Sequence, residues 1–178
     1  RNIFVNEMAT NSSMAKLSSG LRISRAADDA AGLSIANKLR TQSRSLTQAA
    51  SNAEQGSAML QIAEGAASTI QRIIERQKEL ITQATSAGNN STVTATLMTE
   101  VVTLQTEAAR VQGAANFQGA SVFSSLVFQV SDSSTSGTVT VNSGLTLSSL
   151  TSTSTLANAD TSLDTVNSVL ATIGAGQN

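Results

Sequence analysis

Cysteine and histidine are both absent from this 178-residue chain. Without Cys there is no disulfide and no thiolate nucleophile or ligand. Without His the commonest general base and metal ligand is gone. Ser and Thr are plentiful, but no imidazole exists to activate one, and no local motif suggests Ser–Lys or paired-carboxylate chemistry. The sequence therefore predicts a protein that is not an enzyme and holds no cofactor or metal. Aromatics make up only 2%, as four Phe with no Trp or Tyr, so Ala, Leu, Ile and Val must build the interior. Small side chains suit closely spaced helices better than a bulky globular core. A net charge of −1 supplies none of the basic field that nucleic-acid binding needs. No apolar run is long enough to span a bilayer, and no basic start with an apolar middle marks a signal peptide, so membrane insertion is not expected. The chain opens on Arg1 rather than Met, which reads as a segment of a longer protein.

What is present is a heptad. From Leu39 an apolar residue returns at every seventh position: Leu39, Leu46, Ala53, Leu60, Ala67, Ile74 and Ile81. A companion row three residues later reads Gln42, Ala49, Gly56, Ala63, Ile70, Gln77 and Ala84. A period of 3.5 sustained this long predicts a helix lying lengthwise against other helices. At 1.5 Å per residue such a helix is about 65 Å long, so the expected body is an elongated rod. The helix is expected from about 29 to 86, with Asp28 and Asp29 at its start, where carboxylates accept orphan N–H groups.

The remaining segments follow from composition and spacing. Residues 2–17 carry a weak helical pattern through Ile3, Val5, Met8, Met14 and Leu17, and 18–28 reads as an extended connector. Ala87-Gly88-Asn89-Asn90-Ser91 is a turn, after which Val93, Leu97, Val101, Leu104, Ala108, Val111 and Ala115 predict a second helix over about 92–114. The two helices form an antiparallel hairpin. Leu126–Val130 and Thr138–Val141 are β-prone runs separated by a turn, giving a β-hairpin over about 126–142. The Ser/Thr-rich stretch 142–155 is a β-edge or an irregular cover. Leu156, Ala159, Leu163, Val166, Leu170 and Ile173 step by three and four, predicting a third long helix over about 156–174 that fills the groove of the hairpin. The fold class is mainly α: a coiled-coil-like rod with a small β-hairpin. Two parts are expected, a partial N-terminal helix with connector (1–28) and a core rod domain (29–178).

Several motifs then resemble one family. LSSGLRI at 17–23, DDAAGLSIA at 28–36, SNAEQGSAMLQIAEGA at 51–66, ERQKELITQA at 75–84, ANFQGASV at 115–122, FQV at 128–130 and GAGQN at 174–178 are similar, in order and spacing, to bacterial flagellin. At Gly176 the family usually has a branched residue. The resemblance implies a structural subunit that self-assembles into the helical tube of the flagellar filament, exported through the flagellar apparatus to the cell exterior. It also implies that both terminal helices and any large outer domain lie outside this segment, and that residues 1–178 alone stay largely monomeric. Implied partners are other flagellin subunits, the export chaperone, and the cap and junction proteins. A hook–filament junction protein and a polysaccharide-binding surface homologue are the alternative functions.

The resemblance also assigns residues. Leu17, Ser18, Gly20, Leu21, Arg22, Ile23, Asp28 and Asp29 would form a joint between inner and outer tubes. The sequence itself leaves two readings of Arg22 and Arg25 beside Asp28 and Asp29: pairs made across subunits, or solvated surface charges worth little. Arg76 and Leu80 lie one turn apart, and a turn near Asn89 returns Glu100 to their height. With Gln83 they are expected as one exposed patch, which in the family contacts the vertebrate Toll-like receptor that senses flagellin. Leu104 departs from the Arg common in strongly recognised members. Ile62, Ala66, Ile73 and Leu80 form a second apolar stripe, read as core or as an intersubunit surface.

Overall fold

A computed structural model describes residues 1–20, 22–23, 27, 29–132, 137–148, 151 and 155–178. The expected elements are present: α1 Asn2–Ser19, α2 Ala30–Ala84, α3 Ser91–Ala114 and α4 Leu156–Gln177, with short strands between α3 and α4. The chain divides into two compact units, Arg1–Gln48 and Ala49–Asn178, so the division falls inside α2.

In the first unit, α1 is longer than its weak pattern suggests. Ser18 and Ser19 close its last turn rather than opening a connector, and Gly20 stops it at φ 68, a left-handed C-cap that costs glycine nothing. Asp29 starts α2 as expected, its Oδ1 accepting the Gly32 N–H at 2.9 Å. Leu21, Arg25 and Asp28 lie outside the described residues.

In the second unit, α2, α3 and α4 pack along their lengths. The α2–α3 hairpin is antiparallel: Arg76 meets Glu100, and Thr94 Oγ1 donates to the Ala84 carbonyl. The α3 N-terminus is capped by Asn90, whose side chain accepts the Val93 N–H at 2.9 Å. Helix α4 also runs antiparallel to α2, tied at one end by Lys78–Asp160 and at the other by Gln177–Glu64. A Thr155–Asn158 capping box opens α4, and the helix continues to Gln177, three residues past its expected end.

The heptad seam is the core of this unit. Ala49, Gly56, Leu60, Ala63, Ala67, Ile70, Ile74, Gln77, Ile81 and Ala84 are all buried, each at a predicted seam position; only Ala53 is exposed. Alanines at 63, 67, 108 and 159, all fully buried, let the three backbones approach closely. The apolar core falls into two clusters, one built on Leu60–Ile74 and the other on Leu80, Ile81, Met98, Val101 and Ala159. Gln77 lies in sequence between them. On α4 the buried face is Ala159, Ser162, Val166, Val169 and Ile173, while the predicted Leu163 and Leu170 sit half-buried at its edge. Strand packing rotates the face: a Cβ on Gly176 would fall 2.6 Å from Val141 Cγ2.

The hairpin β3 (Ser125–Gln129) and β4 (Thr138–Asn142) pairs antiparallel with Ser125 opposite Asn142. It rests on α2 where Gly56 leaves room for the Phe128 ring, whose atoms stand 3.1 Å from a would-be Cβ. Asn52 Nδ2 donates to the Gln129 carbonyl beside it. Within ANFQGASV a second, tiny ladder joins β1 (Asn116–Phe117) and β2 (Ala120–Ser121). Both turn residues, Gln118 at φ 50 and Gly119 at φ 84, are left-handed. The stretch after β4 is an irregular cover in its described residues: Leu145 is buried, and Gln112 and Gln105 of α3 donate to the Leu145 and Ser148 carbonyls. Leu150 lies outside the described residues.

Candidate interaction surfaces

Three surfaces are candidates, and the first is the bare half of the seam. The heptad that is buried from Ala49 onward runs back through Leu46, Leu39 and Ile35, which are exposed, and Gln42, which is half-buried. Leu39 is 60% exposed, Leu46 53% and Ile35 60%. Helix α1 has no buried residue, and Ile3, Phe4, Val5, Met8, Met14 and Leu17 all face solvent. Large apolar side chains exposed in this number on two helices mark a candidate interaction surface rather than ordinary scatter.

The second is the connector. Ser18 sits in the last turn of α1 and Gly20 caps it. Leu17 and Arg22 are exposed, while Ile23 is half-buried and approaches Gly32 of α2. Asp29 is the N-cap of α2. Of the expected joint, Leu21 and Asp28 lie outside the described residues, so the proposed Arg25–Asp28 pairing does too.

The third is the patch at Arg76. The turn at 85–90 does bring Glu100 to the height of Arg76, with Nη2 and Oε1 3.4 Å apart, and Glu79 closes on the other guanidinium nitrogen at 3.0 Å. The hydrogen bond with Glu79, and then the charge of Glu100, raise the Arg76 pKa above its ordinary value. Arg76, Glu100 and Gln83 are exposed. Leu80 is not: it is 1% exposed and sits in the core with Met98, Val101 and Ala159. Helices on two sides of α2 widen its buried arc beyond the two seam rows, and the position flanking Ile81 is taken into it. The same widening splits the second apolar stripe, leaving Ile62 exposed, Ala66 and Ile73 half-buried and Leu80 fully buried. The patch is therefore polar, made of Arg76, Glu79, Glu100 and Gln83.

A groove of about 470 Å³ between α2 and the hairpins is lined by Asn52, Gln55, Met59, Phe117 and Phe128 and carries no titratable group. Among the described residues no cluster of His, Cys, Asp and Glu is suited to a metal, and no helix is long and apolar enough to cross a membrane.

Comparison with known proteins bears on these surfaces. The profile of the bacterial flagellin N-terminal helical region matches residues 1–127. Flagellin of Escherichia coli K12 is 42% identical over 121 residues, 68% of this chain and 24% of that protein. Flagellin of Halalkalibacterium halodurans is 41% identical over 117 residues, covering 66% of this chain and 43% of its own length. Flagellin of Bacillus subtilis 168 is 46% identical over 89 residues, 50% of this chain and 29% of that protein. The chain thus spans less than half the length of these relatives. A crystal structure of Bacillus cereus flagellin aligns with a TM-score of 0.49 at 27% identity, over 70% of this chain and 77% of that one. The matched span holds α1, all of the α2 heptad and α3, the elements that carry both the bare seam and the polar patch, and on that match the chain belongs to the bacterial flagellin family.

Proposed function

We propose that this chain is the wall-forming part of a self-assembling flagellar filament subunit, which works outside the cell in swimming motility. The observation that carries the reading is the interrupted seam: one heptad pattern on one helix, buried against its own chain from Ala49 to Ala84 and bare at Ile35, Leu39 and Leu46. Ile35, Leu39 and Leu46 are a little over half exposed, so burying what remains on assembly would contribute roughly 1–2 kcal/mol each towards a repeating contact. A head-to-tail contact that does not close into a ring generates an open helical polymer. The segment between Gly20 and Asp29 would then join the α1 layer to the α2 layer within that polymer. Export chaperone, cap and junction proteins are proposed as further partners on the ground of family membership.

The test is polymerisation of the purified gene product that carries residues 1–178. Sulfate, which strengthens apolar burial, should drive it into tubes visible by electron microscopy. A product that stays monomeric at every protein and sulfate concentration would refute the assignment. A polysaccharide-binding role is disfavoured by the aromatic inventory, which is four Phe with no Trp or Tyr, and the two that line the groove, Phe117 and Phe128, are half-buried against the core.

A second role rests on the Arg76–Glu100 convergence. The polar patch of Arg76, Gln83 and Glu100 is proposed as the contact with the vertebrate Toll-like receptor that senses flagellin, with Leu80 supporting it from beneath. Arg76→Ala or Glu100→Ala should weaken receptor binding by on the order of tenfold, the usual loss for a charged hydrogen bond. Unchanged affinity in both variants would remove the patch.

A further inference from the structure

Charge is divided unequally between the two units, although the whole chain is near neutral. Residues 1–48 hold seven Lys and Arg against three Asp and Glu; residues 49–178 hold four against nine. Within the second unit most cations are already engaged: Arg76 with Glu79 and Glu100, Lys78 with Asp160, Arg110 with Glu107. In the first unit, Lys38, Arg40 and Arg44 make no ion pair or side-chain hydrogen bond among the described residues, and all are exposed. Arg40 and Arg44 are four residues apart and so lie on one face of α2. At 100° per residue that face is roughly opposite the bare seam of Ile35, Leu39 and Leu46. The first part of α2 therefore offers an apolar stripe on one side and a cationic one on the other.

We infer that the cationic face docks on a second copy of this chain, in the groove beside α2 of its acidic unit, where Glu75 and Glu79 are exposed at the same four-residue spacing. Glu79 shares its charge with Arg76 and Glu75 accepts from Gln71, and both pairs are open to solvent, so an incoming guanidinium competes for them. This inference rests on the assembly reading and specifies one of its contacts. The groove has a volume of about 660 Å³ and includes Leu163 and Thr82, apolar surface on which arginine stems can lie while their guanidinium groups reach the carboxylates. Lys78, in the same groove, has its charge taken by Asp160 at 2.5 Å. Matched spacing on two helices gives a two-rung contact, and guanidinium–carboxylate geometry rewards that match. The surfaces are different on the two copies, so the contact propagates rather than closes.

The experiment is a charge swap in the gene product, read as the critical concentration for assembly. Arg40→Glu with Arg44→Glu should raise it by on the order of tenfold or more, and Glu75→Arg with Glu79→Arg should do the same. Mixing the two variants, or combining all four changes, should restore assembly. Control reversals at Glu54 and Asp132, also acidic and in the same unit, should leave it near wild type. Helical circular dichroism on each variant checks that the fold survives. If the double reversals leave the critical concentration unchanged, or the combination fails to restore it, this contact is wrong while the assembly reading stands. Failure of the wild-type protein to assemble would overturn both.

Discussion

Among the described residues Gln77 is the one buried side chain with an unpartnered polar atom, and replacing it with Leu should stabilise the protein. It occupies a seam position of α2, is fully buried, and lies in sequence between the two apolar clusters. Its Nε2 donates to the Val101 carbonyl at 3.0 Å and to Gln105 Oε1 at 3.2 Å, while its own Oε1 meets no donor among the described residues. Gln77→Leu removes an unpaired acceptor that costs about 1–3 kcal/mol, and gives up two hydrogen bonds worth about 0.5–1.5 kcal/mol each. Those two effects nearly cancel. Neither partner is orphaned, because the Val101 carbonyl keeps its helical bond and Gln105 is only half-buried. What remains is the burial of an isobutyl group less that of the two methylenes Gln77 already buries, about 1–2 kcal/mol before a small packing mismatch. The expected gain is at most about 1–2 kcal/mol, or a Tm increase of at most about 3–6 °C for a chain of this size. Urea unfolding followed by circular dichroism measures it, with an unchanged m-value as the sign that the folded state is intact. A midpoint lower than wild type would show that the amide relay through Gln105 to the Ser148 carbonyl is worth more than this reasoning allows.

Other sites test other links. Gly56→Leu drives a side chain into the Phe128 ring at 3.1 Å and should destabilise by about 1–3 kcal/mol, with raised protease sensitivity in the hairpin 125–142. Asn90→Ala removes the α3 cap and should cost about 1 kcal/mol in thermal unfolding, whereas Asn90→Asp should cost little. Arg76→Ala should leave the thermal unfolding midpoint near wild type, since its pairs are half-exposed, so that any loss of receptor binding is not a folding effect. The hydrogen bond from Arg110 holds the Glu107 carboxyl below its ordinary range. A depressed folded pKa stabilises above the unfolded value and loses that support as pH falls through the folded one. Acid titration of Glu107→Gln should therefore show a shallower stability loss than wild type.

The long helices were legible because a heptad is a periodic signal, and from Ala49 to Ala84 every buried seam residue falls where the period puts it. The antiparallel hairpin and the Arg76–Glu100 approach followed from the turn at 87–91. Period alone, however, fixes rows rather than the width of the buried arc. Leu80 was misplaced on the surface because two helices, not one, cover that side of α2. The α4 face was misjudged by one position for a related reason: β4 packs on it at Gly176, which draws Ser162 and Val169 inward in place of Leu163 and Leu170. The small ladder at Asn116–Ser121 carries only half of the usual turn signal. Its second left-handed residue is Gly119, but the first is Gln118, a residue type that rarely adopts such a conformation. Which half of the seam would be bare was not legible either. Leu39 and Leu46 match the period as well as Leu60 does, and exposure depends on what three-dimensional partner each meets.

The absence of cysteine makes the central claim directly measurable. Leu39→Cys introduces a single thiol at the middle of the bare seam, and its rate of reaction with a soluble maleimide can be followed before and after polymerisation of the gene product. If that stripe is what neighbouring helices cover, the thiol reacts freely in the dispersed protein and at least on the order of tenfold more slowly in the polymer. Equal reactivity in both states, in a variant that still assembles, would mean that the exposed heptad is not the surface on which the filament is built.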